Sequence, residues 1–270
     1  MKQTILSAKQ SELLENLLVA YGHIVTSRHI NDKAKLLWDE THVKNIITKF
    51  TTDGWLIRLK RGLYAISDLS NRGFLSLSPY IVANLLVTKS YVSFESALSY
   101  YAMFDQLTDK VISISQTRYK TAQLNATEYS FVNVQEKWFF GWQEVVIDIQ
   151  TIRIATAEKA LIDIIQFHRS KYSVDLVIEK LRVHQDTIDK VKLNAYLSKM
   201  SASTIKIFGI LYDFLGIDSS RLHELVKSKR GTDHIFAGDK KFNAKWRLYY
   251  DEYFDKYQTS NNNQDCRKTK

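Results

Sequence analysis

The sequence is poor in residues that form cross-links or hold metal ions. Its 270 residues include one cysteine, Cys266, which excludes an intrachain disulfide and a metal site built from several cysteines. The seven histidines contain no His-x-x-x-His pair, so a zinc site is not expected either. Neither a G-x-x-x-x-G-K-[ST] nor a G-x-G-x-x-G segment is present to cradle phosphates. We therefore predict no metal and no cofactor.

Long apolar runs are also lacking. No stretch of about eighteen apolar residues occurs, which a membrane-spanning helix would need. The first ten residues, MKQTILSAKQ, lack the continuous apolar segment of a secretory signal. These absences predict a cytoplasmic protein with no membrane partner.

Hydrophobic and basic residues are both abundant. Hydrophobic residues make up 45% of the chain, enough to fill the cores of two folded domains at this length. The formal net charge is +9, which permits a polyanionic partner because Lys and Arg release condensed counterions when they neutralise phosphates. Since charge alone does not identify the partner, the placement of the cations matters more.

Residues 1–70 have the pattern of three helices followed by a hairpin. Apolar residues from Leu13 to Tyr21 recur at helical spacing and are followed by Gly22, a favoured residue at a helix end. Thr26 or Ser27 can cap a second helix that runs to about Ala34. This order of elements predicts a winged helix-turn-helix domain.

The third helix begins near Thr41 and has two distinct faces. One is an apolar stripe of Val43, Ile46, Ile47 and Phe50. The other consists of hydrogen-bonding and cationic side chains that could reach base edges and phosphates, although an ordinary solvated helix face would have the same composition.

The segment after this helix favours DNA binding over a merely solvated face. Gly54 ends the helix, and two β-prone runs are joined at Lys60-Arg61-Gly62, where glycine suits a tight turn. From residue 41 to residue 66 there are five Lys or Arg and one acidic residue, a local charge of +4. Such a wing can lie along phosphates while the helix enters the major groove. The predicted DNA-contacting residues are Thr41, His42, Lys44, Asn45, Thr48, Lys49, Arg58, Lys60 and Arg61.

The rest of the chain predicts a second domain over residues 71–258. Its first part alternates short helices with β-prone runs such as VISISQ and TIRIA, which suggest a small antiparallel sheet. Helical patterns follow, the last through KWRLYYDEYFDKY, and a polar tail at 259–270 is expected to be disordered. The predicted fold class is α+β: a winged helix-turn-helix, a mixed α/β section and a helical C-terminal region.

Three segments together resemble the AbiEi family of antitoxins. They are residues 61–66 (RGLYAI), 91–98 (YVSFESAL) and 154–163 (IATAEKALID), which occur in the family's order with similar spacing. The resemblance covers roughly residues 5–170, and beyond that it extends only to a helical composition. Ala157 departs from the family pattern, in which a proline often stands beside the acidic–lysine pair.

This resemblance implies a type IV antitoxin that is not an enzyme. Such a protein binds inverted repeats in its own promoter and represses the operon. Because a single recognition helix covers too few base pairs for useful specificity, we expect two copies on the double-stranded DNA. It also counteracts a nucleotidyltransferase-like toxin without forming a stable complex with it, in a phage-resistance system based on abortive infection. The DNA contacts implied are those of the third helix and wing, and the antitoxin action is assigned to the C-terminal region without named residues.

Two other functions stay open. One is a nucleic-acid-modifying enzyme with a winged-helix targeting domain, for which Glu158, Lys159 and Asp163 are the most enzyme-like group. A structural role for these three residues, near a helix start, is the more ordinary interpretation. The other is a ligand-responsive transcription regulator outside any toxin system. A second basic stretch, residues 227–247, could extend the DNA footprint, contact RNA, or simply be a solvated face.

Overall fold

The computed structural model describes residues 5–68, 73, 75, 77–106 and 108–258. The chain divides into two compact units. The first consists of Met1–Thr88, Thr121–Tyr129 and Val146–Ile152, and the second of Lys89–Lys120, Ser130–Val145 and Arg153–Lys270. The first unit therefore continues past the expected boundary at residue 70. The tail at 259–270, expected to be disordered, lies outside the described residues.

The first unit begins with helices whose ends are marked by local capping signals. Ser7 and Gln10 form a capping box at the start of the first helix, and Thr26 and His29 form another at the second. Asp39 caps the third helix, which ends at Gly54 in the left-handed conformation (φ 83°). The elements in order are α1 (Ala8–Tyr21), β1 (Ile24–Thr26), α2 (Ser27–Ala34), α3 (Glu40–Asp53), β2 (Leu56–Lys60), β3 (Leu63–Ile66) and α4 (Pro79–Leu86).

A three-stranded antiparallel sheet closes this unit, in the order β1-β3-β2. The hairpin β2–β3 was expected from the sequence, whereas β1 was not. One core cluster joins the buried faces of the three helices to the hairpin, and it includes Leu14, Ile30, Phe50 and Leu56. The exposed face of α3 is therefore held on a packed support rather than on a mobile segment.

The middle of the chain forms a six-stranded sheet in the order β6-β7-β5-β4-β9-β8. The sequence predicts a small antiparallel sheet; the sheet has six strands and is mixed, because β4 pairs antiparallel with β5 but parallel with β9 at Val92 and Ile154. The three residues of β4 are too few to show a sequence period. The elements are β4 (Ser90–Val92), α5 (Phe94–Tyr100), β5 (Lys110–Ser115), β6 (Ala122–Leu124), β7 (Thr127–Asn133), β8 (Trp142–Ile147) and β9 (Gln150–Ala155).

Helices fill most of the second unit after this sheet. They are α6 (Ala157–Phe167), α7 (Lys171–Val183), α8 (Lys190–Leu197), α9 (Ala202–Leu215) and α10 (Ser220–Val226). Nearly every residue of α9 from Thr204 to Phe214 is buried, which is the pattern of a central helix surrounded by other elements. Among the described residues, no helix is long and apolar enough to cross a membrane.

The C-terminal part differs from the expected helix through residues 245–257. It forms β10 (Asp233–His234), β11 (Lys241–Asn243) and β12 (Leu248–Tyr250), in the sheet order β10-β12-β11, followed by a 3₁₀ helix at Glu252–Tyr257. Trp246, Leu248 and Tyr250 are buried while their neighbours are more exposed, so the period there is two. The observed architecture is α+β, with a C-terminal region that is not wholly helical.

Candidate nucleic-acid interface

Eight of the nine predicted contact residues are exposed on the first unit. Six lie on α3 and two on the hairpin, whereas Lys60 is half-buried. Val43, Ile46 and Phe50 anchor the opposite face of α3 in the core, so the helix presents its polar face to solvent. The exposed side chains are Thr41, His42, Lys44, Asn45, Thr48, Lys49, Arg58 and Arg61.

The N-terminal end of α3 is not uniformly cationic. The Asp39 carboxylate accepts hydrogen bonds from the His42 backbone N–H at 3.0 Å and from His42 Nδ1 at 2.8 Å. The hydrogen bond from the His42 side chain lowers the pKa of the Asp39 carboxyl below its ordinary value. Because Asp39 and the adjacent Glu40 carry negative charge there, phosphates should approach further along the helix.

Several hydrogen-bond donors beyond this end have no partner within the described residues. Neither hydrogen bonds nor ion pairs are formed there by the side chains of Lys44, Asn45, Lys49, Arg58 and Arg61. Elsewhere on the same unit a surface cation can be paired, as Arg28 is with Asp32 at 3.7 Å. The donors of these five side chains are thus solvated and can bind an external acceptor.

The turn of the hairpin is anchored to the start of α2. Gly62 has φ +76°, a conformation that L side chains rarely adopt, and its carbonyl accepts a hydrogen bond from the Ser27 N–H at 3.0 Å. The pairing of β2 with β3 shifts register between Arg58 and Lys60. This bulge and the anchor fix Arg61 at an exposed tip of defined geometry.

Lys60 differs from the other cations of the hairpin. Its Nζ donates to the Leu86 carbonyl at 3.3 Å, which ties β2 to the C-terminal end of α4. An ammonium near the last carbonyls of a helix is favourably placed. Lys60 is therefore partly committed to the protein itself, which its position in the sequence did not reveal.

A cavity beside α3 brings in residues that the sequence did not single out. Its volume is about 380 Å³, and Gln10 and Trp38 line it together with polar residues of α3. Gln10 stands at the third position of α1, where its capping role gives a sequence signal for helix start but none for a binding site. Trp38 carried no signal except its position just before the capping residue.

Three of the seven cations in the second basic stretch are paired with acidic residues. Ion pairs join Lys227 to Glu224, Lys241 to Asp255, and Lys245 to Asp213. Because partners neutralise these three cations, they are weaker candidates for phosphate binding than the unpaired cations of α3 and the hairpin.

The enzyme-like group is sealed inside the second unit. Lys159 and Asp163 form an ion pair with both side chains fully buried, and Ser93 Oγ donates to Asp163 at 2.7 Å. Burial raises the pKa of the Asp163 carboxyl, although the Lys159 ammonium opposes the shift. Glu158 instead accepts from the Asp189 N–H at 3.1 Å. In this arrangement the three residues connect helices and strands of the second unit.

Comparison with known proteins establishes a likeness of fold. No protein-family model matches the chain, and no curated protein matches it. Its structure is similar to the crystal structure of the Rv2827c protein from Mycobacterium tuberculosis, with a TM-score of 0.68 and 12% sequence identity. The match covers 92% of this chain and 93% of that one. At this identity the likeness concerns the fold alone.

Proposed function

We propose that the protein is a sequence-specific DNA-binding repressor whose first unit acts as a winged helix-turn-helix. In this proposal α3 is the recognition helix and the β2–β3 hairpin is the wing. One observation carries it: five exposed side chains of α3 and the hairpin form no hydrogen bond or ion pair within the described residues, namely Lys44, Asn45, Lys49, Arg58 and Arg61. A polyanion with base edges in a groove would supply the missing acceptors.

The dimensions of α3 suit the major groove. Its 14 residues span about 21 Å, and a helix of ordinary width fits a groove about 12 Å wide. Asn45 lies near the middle of the exposed face, where its amide can form two hydrogen bonds with adenine. Lys44 and Lys49 flank it and can contact guanine or phosphates.

The hairpin then contributes contacts that do not depend on sequence. Arg61 at its tip and Arg58 on β2 can neutralise phosphates or enter the minor groove. A single helix reads too few base pairs for useful specificity, so two copies would bind paired half-sites, as in inverted repeats.

The likeness of the sequence to AbiEi antitoxins extends the proposal to the cellular role. The protein would repress its own operon and counteract a nucleotidyltransferase-like toxin encoded beside it, with no stable complex between the two. A growth assay with the neighbouring gene tests this part. Supplying the protein in trans should restore growth, and the two proteins should not purify together from the same cells. Arrested growth in its presence would contradict the antitoxin role.

A DNA-binding titration tests the repressor itself. Fluorescence anisotropy is measured with the upstream DNA and with a scrambled duplex, each at two salt concentrations. Preference for the upstream DNA should persist at the higher salt, and Asn45→Ala should reduce that preference. Asn16→Ala, at an exposed position of α1, is the matched control and should leave it unchanged. Equal, salt-sensitive affinity for both duplexes would refute sequence-specific binding.

A further inference from the structure

The cavity beside α3 has the size of a small-molecule site. Its volume of about 380 Å³ lies within the usual range for ligand pockets, roughly 300–1,000 Å³. The wall combines the start of α1, the residue Trp38 and part of α3. All of these belong to the first unit, so the cavity is formed within one compact body.

Gln10 contributes a hydrogen-bond donor to the wall of the cavity. Its side chain lines the cavity, and the residue is only 6% exposed. The amide oxygen accepts a hydrogen bond from the Ser7 N–H at 2.9 Å, whereas the amide nitrogen has no acceptor among the described residues. The nitrogen is not one of the buried side-chain atoms that lack a partner, so it meets the solvent of the cavity and can donate there to an acceptor on a ligand.

The other lining residues narrow the chemistry of that acceptor. Trp38 gives the wall an aromatic ring and Ile46 adds an apolar surface. Asn45 offers an amide that can both donate and accept, and Lys49 adds positive charge. A flat ring with hydrogen-bond acceptors and an attached anion would use all of these groups together.

We propose that this cavity binds a single unstacked nucleotide. The base lies against Trp38 with one of its acceptor atoms facing the Gln10 amide, and the phosphate is neutralised by Lys49. An inorganic anion would leave Trp38 unused, and a purely apolar ligand would leave the Gln10 amide without a partner. The nucleotide can come from a free nucleoside monophosphate or from an unpaired position of a nucleic-acid strand.

Binding of a free nucleotide has a consequence for the repressor, and this consequence rests on the proposed function. Asn45 and Lys49 line the cavity and also belong to the proposed DNA-reading face, so nucleotide and duplex exclude each other. For simple competition, a nucleotide at ten times its dissociation constant lowers the apparent DNA affinity about elevenfold. The cavity would then make repression responsive to a small molecule.

Calorimetric titrations of the full chain test the cavity. The probes are AMP, GMP, CMP and UMP, inorganic phosphate, and single-stranded hexanucleotides of one base each. The informative variant is Gln10→Glu. It keeps an oxygen that accepts from the Ser7 N–H, removes the two N–H donors of the amide, and adds a negative charge that repels a phosphate. Trp38→Phe tests the ring, and Glu15→Gln, at an exposed position of α1, is the control.

At least one nucleotide probe should bind tenfold or more tightly than inorganic phosphate. Gln10→Glu should weaken that binding at least tenfold, with an unchanged melting temperature, while Glu15→Gln should have no effect. Binding of hexanucleotides alone, with the same response to Gln10→Glu, would assign the site to an unpaired position of a strand. The proposal is overturned if no nucleotide exceeds inorganic phosphate, or if Gln10→Glu leaves nucleotide binding unchanged.

The competition is measured separately, by adding the bound nucleotide to the protein–operator complex. Displacement of the operator would support the shared face. If the nucleotide binds in the cavity but does not displace the operator, the assignment of α3 as the DNA-reading helix is wrong. The proposal that the cavity binds a nucleotide is then still supported. The two failures are therefore distinguishable.

Discussion

Arg61 and Lys60 are adjacent cations on one hairpin, and they should respond differently to replacement by alanine. Arg61 is exposed at the tip and has no partner among the described residues. Lys60 is half-buried and donates to the Leu86 carbonyl at 3.3 Å. If the hairpin is a DNA-binding wing, Arg61→Ala removes a phosphate contact, whereas Lys60→Ala mainly removes a bond between β2 and α4.

The size of each effect can be estimated. Each neutralised phosphate contributes about 0.9 to the slope of log affinity against log salt, so Arg61→Ala should reduce that slope by about 1. When the salt is raised fourfold, from about 50 to about 200 mM, both proteins lose DNA affinity. The fold-loss for Arg61→Ala should be about 3.5 times smaller than the fold-loss for wild type. Lys60→Ala should leave the slope nearly unchanged and reduce the free energy of unfolding by about 1 kcal/mol.

Anisotropy titrations at four salt concentrations measure the slopes, and chemical denaturation followed by circular dichroism measures the stabilities. If Lys60→Ala reduces the salt slope as much as Arg61→Ala does, Lys60 contacts a phosphate as well. The hydrogen bond to Leu86 would then not distinguish the two cations. Unchanged slopes for both variants would show that the hairpin does not contact DNA at all.

Three further predictions concern the fold. Asp163→Asn leaves the Lys159 ammonium buried without its carboxylate and should cost about 3–5 kcal/mol in denaturation experiments, with less loss when both residues are replaced by apolar ones of similar size. Gly209→Ala places a methyl group into the Trp246 ring and should lower the melting temperature, unlike Ala202→Gly at the start of the same helix, which removes no such contact. Burial raises the pKa of the Glu95 carboxyl, whose Oε2 has no partner among the described residues. The folded form therefore favours the protonated carboxyl, and stability falls as pH rises above the ordinary pKa. Glu95→Gln should melt higher than wild type at pH 7, and the difference should shrink as pH is lowered towards that pKa.

Local signals predicted most of the first unit. These signals act within a few residues of themselves, so they can be identified in a single sequence. Examples are the capping residue Thr26, the apolar stripe through Phe50, and Gly54 at the end of α3. Strand β1 was missed because it has only three residues and is defined by pairing with β3, as at Val25 and Tyr64. Such pairing depends on a partner about forty residues away, which no local pattern reveals.

The C-terminal error has a different cause. The segment RLYYDEYFDKY is so rich in aromatic residues that it satisfies both a helical and an alternating period. Tertiary contacts decide between them: Trp246 packs against Gly209 of α9, and its Nε1 donates to Asp213 at 2.6 Å. The Trp246 ring can lie this close to α9 only because Gly209 has no side chain. The sequence of residues 247–257 gives no sign of this contact.

For the candidate site, the sequence identifies the side chains that could bind DNA. It does not show which of them already have a partner within the protein. Lys60 and Arg61 are equivalent in a count of charges, and a hydrogen bond from residue 60 to residue 86 separates them. Discounting Lys60 leaves Lys44, Lys49, Arg58 and Arg61 as unpaired cations on the proposed DNA-binding face. If each of the four neutralises one phosphate, the salt slope should approach 3.6 per copy and about 7 for two copies on paired half-sites. A total slope near 2 would mean that most of these cations face solvent in the complex, and then exposure on a polar helix, rather than DNA binding, would explain their lack of partners.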